Sequence, residues 1–485
     1  MKNNIEPIKT GMEKFHFNEK MPVPVREFVA RFTRKGHNFY LVGGSIRDLL
    51  LGKHVIDWDF AGDENFLKIA ITTWKKKNLP YFMPSSRYKF ARLLSEQEWY
   101  IDAQLMEGDL ENDLKRRDYT VNAMAWDPVT KKLYDLHGGR KDLDLGILRA
   151  ISAENFEDDP LRLLRGIRLE AQLGFHLDPE TEVMIKKRAK LLSNVAGERI
   201  RDELFKILDL PASTPVFKKA DELNLLGELF PQIAMTKGVI QNEFHRYDVF
   251  EHSLQALKAL EDILKKGACS HPAIDEQEVE KIAEEELVPG RKRISLLKLA
   301  TFLHDIGKPE TKGSKKGRIT FYRHQAVGKK IARDIASRLV LSTKEIIYIT
   351  RLVEHHMRPI LLCGLEKVSA RARFRLFRSL GDYLPDLILL TLADMIAGAG
   401  PASTPEMKNK HQNLCRQLLA DYYRQARIVK PPRYLDGNRI MELLDIPPGP
   451  TVGKILSDLE EASATGNINT KQDAEKYVIK NYSES

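Results

Sequence analysis

Apolar positions along this chain change period part-way. Val25, Phe28, Val29 and Phe32 recur at helical spacing and stop at Gly36, which predicts a helix over 25–34. Phe39-Tyr40-Leu41-Val42 is a short continuous apolar run, the pattern of a buried strand. It leads through Gly43-Gly44 into a helix carrying Ile46, Leu49 and Leu50. Further strands are expected at 56–60, 90–94 and 98–105. Together these make a small α/β head of roughly 140 residues, a common domain size. Beyond it the period is helical: 161–174, 198–208, then a histidine-rich block over 245–400. The acidic stretch Asp275 to Glu286, followed by Pro289-Gly290, reads as an exposed insertion in that block. Pro401 to Pro405 and Pro431-Pro432 punctuate the route to a small helical tail.

Composition narrows the class. At 485 residues the chain is too long for one core. Its 42% hydrophobic and 30% charged residues are a globular balance, and no apolar run is long enough to span a bilayer. The opening segment lacks the apolar core of a secretory signal. Cys269, Cys363 and Cys415 are too few and too scattered for a disulfide framework or a cysteine zinc site, so a reducing cytoplasm is the expected compartment. A net charge of +9 suits a polyanionic partner. Basic clusters recur at Lys75-Lys76-Lys77, at Lys186-Lys187-Arg188 and across Arg371, Arg373, Arg375 and Arg378, the last interleaved with Phe374 and Phe377. Taken singly, each reads more simply as a solvated helix face.

Three pieces of the head fit phosphoryl chemistry. In Gly43-Gly44-Ser45-Ile46-Arg47-Asp48, a glycine pair before a helix start brings backbone N–H groups near a phosphate, and Arg47 offers a bidentate contact. Alone, that pair is a tight turn. In Asp57-Trp58-Asp59, residues two apart on a strand share a face. Two carboxylates there can hold paired Mg²⁺ ions, one activating an attacking hydroxyl and one supporting a triphosphate. Asp102 is the expected third carboxylate, on a neighbouring strand. In Arg116-Arg117-Asp118-Tyr119-Thr120-Val121-Asn122, paired arginines with Asp118 and Asn122 suit phosphate and ribose; the plainer reading is a surface ion-pair cluster.

The order of these motifs resembles the class II tRNA nucleotidyltransferase and bacterial poly(A) polymerase family. Matching continues through Asp135-Leu136-His137-Gly138-Gly139, Asp158-Asp159-Pro160-Leu161-Arg162-Leu163-Leu164-Arg165 and Glu198-Arg199-Ile200-Arg201-Asp202-Glu203. The resemblance implies an α+β fold: a polymerase-β-like head with a small mixed sheet (1–148), a helical nucleotide-recognition neck and body (149–240), a helical HD domain (241–400) and a helical RNA-binding tail (401–485). It implies transfer of CMP or AMP from CTP or ATP to the 3′ end of tRNA, with Mg²⁺ as cofactor. Nucleotide binding falls to Gly43, Gly44, Arg47, Arg116, Arg117, Asp118, Asn122, Asp159, Arg162 and Arg165. Asp159 and Arg162 are implied to read the incoming base, although Asp159 before Pro160 also looks like a helix cap. Ten residues separate Asp102 from Asp113, where many full CCA-adding members carry a longer loop. That difference sets CC-only addition, or work beside a partner enzyme, against complete CCA addition. Poly(A) polymerase is the nearest rival activity.

The histidine block resembles the HD phosphohydrolase family. Its minimal set is His252, His304, Asp305 and Asp394, with His324 and either His355 or His356 for a second metal position. Imidazole and carboxylate suit several divalent metals. The resemblance implies an accessory phosphatase or cyclic phosphodiesterase. The rival reading makes the HD block the only enzyme and the head an RNA-binding module. In the tail, Pro447-Pro448-Gly449-Pro450 feeds a helix start, as a phosphate seat or as a packing turn.

Overall fold

The computed structural model describes residues 15–34, 38–76, 80–83, 90–94, 99–106, 108–265, 276–398, 400–424 and 428–483. Cys269 and Lys77 lie outside them. The chain divides into two compact units. One comprises residues 1–195 with 222–228, the other 196–221 with 229–485.

The first unit is built on a seven-stranded mixed sheet. Its strands are β1 (Phe39–Val42), β2 (Asp57–Gly62), β3 (Tyr81–Phe82), β4 (Phe90–Leu94), β5 (Tyr100–Leu105), β6 (Met124–Trp126) and β7 (Leu133–Asp135), ordered β3-β4-β5-β2-β1-β6-β7. Only β2 and β5 run parallel, with Asp57 opposite Tyr100 and Asp59 opposite Asp102; the other pairs are antiparallel. One face of the sheet is heavily aromatic. Helices α1 (Val23–Arg34) and α3 (Glu64–Lys76) bring Phe28, Phe32, Phe66 and Trp74 onto Phe39, Trp58 and Phe60. Phe39 and Phe66 stack with centroids 5.3 Å apart. Each such ring contributes roughly 1.5–3 kcal/mol by leaving water. The opposite face carries small residues, with Val42, Ala61 and Ala125 packed on Leu110 and Leu114 of α4 (Leu110–Lys115). Helix α2 (Gly44–Leu50) follows β1 directly. After β7 come α5 (Gly139–Leu145), the short α6 (Glu154–Asp158) and α7 (Leu161–Leu173), which ends on Gly174 as expected.

The second unit is helical. Helices Val249–Leu264, Arg293–Leu303, Thr343–His355 and Leu384–Ala397 pack together, with His324–Arg338 against Thr343–His355. A buried network pins three of them: Arg293 bonds Asp386, and the Tyr348 hydroxyl donates to Asp386 at 2.5 Å. The acidic stretch expected as an exposed insertion is more ordered than that. Glu276–Glu284 is a helix whose Val279 and Ile282 are buried, so its apolar face joins the core. The tail packs Leu435, Ile440, Ile455 and Val478 into a core of its own. Three of the four arginines over 371–378 pair with acids, and Arg378 donates to the Ser457 hydroxyl. Arg371 and Arg375 both pair with Glu461, and Arg373 pairs with Asp421, while Phe374 and Phe377 are buried. Cys363 and Cys415 are free thiols. Among the described residues no helix is long and apolar enough to cross a membrane.

Candidate active site

The alternation along β2 decides where its carboxylates go. Trp58 and Phe60 take the aromatic face, so Asp57 and Asp59 point to the other. Ser45 fastens α2 to this strand. Its hydroxyl donates to the Asp57 carbonyl at 2.8 Å and accepts from the Asp59 N–H at 2.9 Å. Sequence reasoning missed this role of Ser45, whose place directly after Gly43-Gly44 is the available signal. Gly43 has φ +75°, and a Cβ there would stand 2.8 Å from Arg117 Nη1 and 3.2 Å from Asp59 Oδ2. Glycine is therefore required for the turn to pass between a guanidinium and a carboxylate.

A cavity of about 340 Å³ opens here, lined by Gly43, Gly44, Asp59, Arg116, Arg117, Asp118, Asn122, Asp159, Arg162 and Arg165. Sequence reasoning missed Gln104, Leu105 and Asp113, which line it too. Asp113 accepts from Arg117 Nη2 at 2.9 Å, an i, i+4 pair legible in the spacing. Of the three carboxylates expected to bind metal, only Asp59 lines the cavity. Arg92 on β4 holds both oxygens of Asp102, at 2.8 and 2.7 Å. Burial, then Asp57, then Asp102 push the Asp59 carboxyl up to about 7, against the pull of Arg117 and Arg165. Burial also raises Asp102, with Arg92 opposing. Crowded acids that resist ionising together are a donor set suited to a divalent cation.

Arg47 lies on α2, three residues after Gly44. It is buried and absent from the cavity lining, because its guanidinium bonds Asp48 at 2.9 and 2.8 Å and Asn122 Oδ1 at 2.6 Å. In this arrangement its guanidinium holds the side chain of Asn122. Asp118 accepts from the Tyr119 N–H at 2.8 Å and from Asn122 Nδ2 at 3.0 Å, and forms an ion pair with Arg165, whose Nε lies 2.9 Å from its Oδ2. Burial alone would raise its carboxyl; Arg165 and these hydrogen bonds outweigh it and lower it. Asp159 lies between α6 and α7, and its Oδ1 accepts from the Leu161 N–H at 3.3 Å. It also lines the cavity, as does Arg162, whose Nη1 donates to the Asn155 carbonyl at 2.9 Å.

In the helical unit, His252, His304, Asp305, His324, His356 and Asp394 converge. Nε2 of His304, His324 and His356 lies 3.1, 3.3 and 3.5 Å from the Asp305 carboxylate, and His252 Nε2 lies 3.0 Å from Asp394. Nδ1 of each of the first three faces a backbone carbonyl, of Thr301, Phe321 and Val353 respectively. A carbonyl only accepts, so each Nδ1 carries the proton and each Nε2 turns a lone pair inward. His324 and His356 meet Nε2 to Nε2 at 3.2 Å. His304 Nε2 and both Asp305 oxygens are buried without a hydrogen-bond partner of good geometry. Converging lone pairs with second nitrogens fixed by carbonyls fit a divalent metal. Without one, a proton serves: burial would lower His304, but Asp305 and Asp394 raise it to about 10. His355 stands apart beside Glu354, lowered by burial to about 4, so His356 is the member of the pair that joins. His245 was missed; it groups with His252 and Asp305. Gly307 makes the approach possible, since a Cβ there would collide with the His324 carbonyl and the Gly328 nitrogen.

Residues 39–149 match the poly A polymerase head domain, 174–236 the probable RNA and SrmB-binding site of polymerase A, and 249–396 the HD domain. An A-adding tRNA nucleotidyltransferase of Deinococcus radiodurans is 32% identical over 90% of this chain and 94% of its own. The chain belongs to the tRNA nucleotidyltransferase family. A CC-adding family member of Thermus thermophilus is 30% identical over 90% of this chain and 92% of its own. The fold is shared with a CCA-adding enzyme solved with CTP, at TM-score 0.63 and 20% identity, covering 95% of this chain and 96% of that one. The α+β reading, a mixed-sheet head followed by helices, therefore holds.

Proposed function

We propose that this chain, acting in the cytoplasm, adds C residues to the 3′ end of tRNA that lacks its CCA terminus. The observation that carries the reading is Asp57 and Asp59 on one strand face beside a cavity walled by Arg116, Arg117, Arg162 and Arg165. In the reaction the terminal 3′ oxygen attacks the α-phosphorus of a nucleoside triphosphate, the bond to the β-phosphate breaks, and pyrophosphate leaves. Asp57 and Asp59, with Asp102 adjoining, would hold two Mg²⁺ ions, which would supply Lewis acidity for that displacement. Arg116, Arg117 and Arg165 balance the triphosphate charge, and Asn122, held by Arg47 and Asp118, meets the ribose. Asp159 and Arg162 present acceptors and a planar donor fork to the base.

Restriction to C is supported by chain length at one turn. Helix α4 begins at Leu110, directly after a connection of 106–109 from β5. That leaves no room for the longer loop that serves C-to-A switching in full CCA-adding enzymes. Relatives in Thermus, Synechocystis and Geobacter are CC-adding. A-only addition is the second reading, favoured by the Deinococcus relative. Matched tRNA transcripts ending before CCA, after one C and after CC, given CTP or ATP, separate these. CTP incorporation on the first two alone supports the proposal. ATP incorporation on the third alone overturns it in favour of A addition, and a long tail with ATP overturns it in favour of a poly(A) polymerase. The helical unit, on this reading, is a metal-dependent phosphohydrolase. His252, His304, Asp305 and Asp394 would hold the divalent ion, with His245, His324 and His356 around them.

A further inference from the structure

The two-residue period that sends Asp57 and Asp59 to one face of the sheet runs on into β4. Ala91 and Leu93 join the aromatic core, so Arg92 between them takes the carboxylate face. Register then sets three side chains in a row across the strands. Arg92 stands opposite Asp102 in the antiparallel β4–β5 pair, and Asp102 stands opposite Asp59 in the parallel β5–β2 pair. A cation thus closes a row of acids.

The contact is two-pronged. Arg92 Nε donates to Asp102 Oδ1 at 2.8 Å and Nη2 to Oδ2 at 2.7 Å, the parallel geometry that makes such pairs strong. The Tyr100 ring backs the guanidinium, with Cζ 4.1 Å from its centroid. Tyr100 in turn stands opposite Asp57. The planar group is therefore fixed between an aromatic face and a carboxylate. The two ends of the pair differ in exposure: the Asp102 side chain is 11% exposed and that of Arg92 39%, so the arginine has a way out to water. An ion held by Asp57 and Asp59 would draw on the same two oxygens of Asp102. An oxygen engaged by a guanidinium is a poorer metal ligand, and the fixed positive charge repels a divalent cation placed beside it.

We propose that Arg92 is a positioning residue that competes with the metal for Asp102: it holds the carboxylate in the metal-free head and lets go when a divalent ion takes the third acid. The proposal rests on the reading of Asp57, Asp59 and Asp102 as the metal-holding set. It adds the residue that sets how tightly that set binds an ion.

Two measurements on the full chain, without nucleotide, test it. The first titrates Mn²⁺ and reads the free ion by electron paramagnetic resonance. Asp59→Asn and His304→Ala tell binding in the head from binding in the histidine cluster. Arg92→Gln keeps a hydrogen-bond donor and drops the charge, so the Kd of the head for Mn²⁺ is expected to fall about tenfold. Arg92→Lys keeps the charge and is expected to stay close to the unaltered protein. A Kd that is unmoved or higher in a folded Arg92→Gln, or an equal gain in both variants, overturns the competition alone. Mn²⁺ stoichiometry that Asp59→Asn leaves unchanged overturns the metal reading beneath it, and the competition with it. The second measurement needs no substitution. Phenylglyoxal modifies accessible arginines, and peptide mapping reads Arg92 by itself. Mn²⁺ is expected to speed its modification, because the ion releases the guanidinium. A rate that Mn²⁺ slows or leaves unchanged overturns the proposal.

Discussion

Asp59 stands directly beside Asp102 in the parallel register of β2 and β5. Asp57 crowds the same carboxylate, and burial adds the largest share of a rise to about 7 from an ordinary 3.8. The folded, metal-free protein therefore keeps a proton on Asp59 that the unfolded chain loses near 3.8. The folded state binds more protons in between, so Asp59 makes stability fall as pH rises from about 4 to about 7 and then level off. The cost above that window is on the order of a few kcal/mol. In EDTA at about pH 8, Asp59→Asn is expected to melt above the unaltered protein, with the gap closing near pH 5. Mg²⁺ should raise the melting temperature of the unaltered protein more at the higher pH. Equal melting of the two proteins in EDTA at pH 8 would show that the acids do not repel as argued.

Arg47 separates a structural from a substrate-binding role. Its guanidinium is buried between Asp48 and Asn122, so Arg47→Met leaves Asp48 without its main partner and the Asn122 Oδ1 without its donor. Breaking a buried pair from one side costs about 3–5 kcal/mol. A large drop in denaturant midpoint with no substrate present is the expected result. If stability is untouched and only the KM for nucleotide rises, Arg47 meets the substrate after all.

That example also shows where sequence stops. The two-residue period of β2 made the face of Asp57 and Asp59 legible, because buried Trp58 and Phe60 leave no other choice. The role of Arg47 depended on Asn122, which lies 75 positions along the chain. The arginines over 371–378 read from sequence as a solvated helix face, yet Arg371, Arg373 and Arg375 pair with Glu461 and Asp421 on distant helices. His304-Asp305 declared itself as a dipeptide. The choice of His356 over His355 needed the helix end at His355 to be known.

For the histidine cluster, one position of rotation along that helix is decisive. His356 Nε2 faces Asp305, whereas His355 faces Glu354. His356→Ala is expected to lower the divalent metal retained after dialysis, and His355→Ala to leave it close to the unaltered level. His245→Ala should lower it as well, since His245 groups with His252 and Asp305. Elemental analysis of the three purified variants reads this directly. Equal loss in all three would mean the cluster is assigned to the wrong residues.

Asp159 and Arg162 sit at the start of α7 with their backbones already fixed. Asp159 accepts from the Leu161 N–H, and Tyr119 donates its hydroxyl to the Arg162 carbonyl at 2.8 Å. Their side chains line the cavity in a defined pose, so the proposed base selection would need little reorganisation. Arg162→Lys keeps the charge but loses the planar fork. Hydrogen bonds to a charged group contribute about 1.5–3 kcal/mol, so kcat/KM for CTP should fall about tenfold to a hundredfold. Incorporation of UTP or GTP should rise relative to CTP in Asp159→Asn, because an acceptor oxygen becomes a donor. Single-turnover assays with each triphosphate on tRNA ending before CCA measure both effects. Unchanged preference in Asp159→Asn, with a normal melting curve, would leave that residue as the helix cap alone.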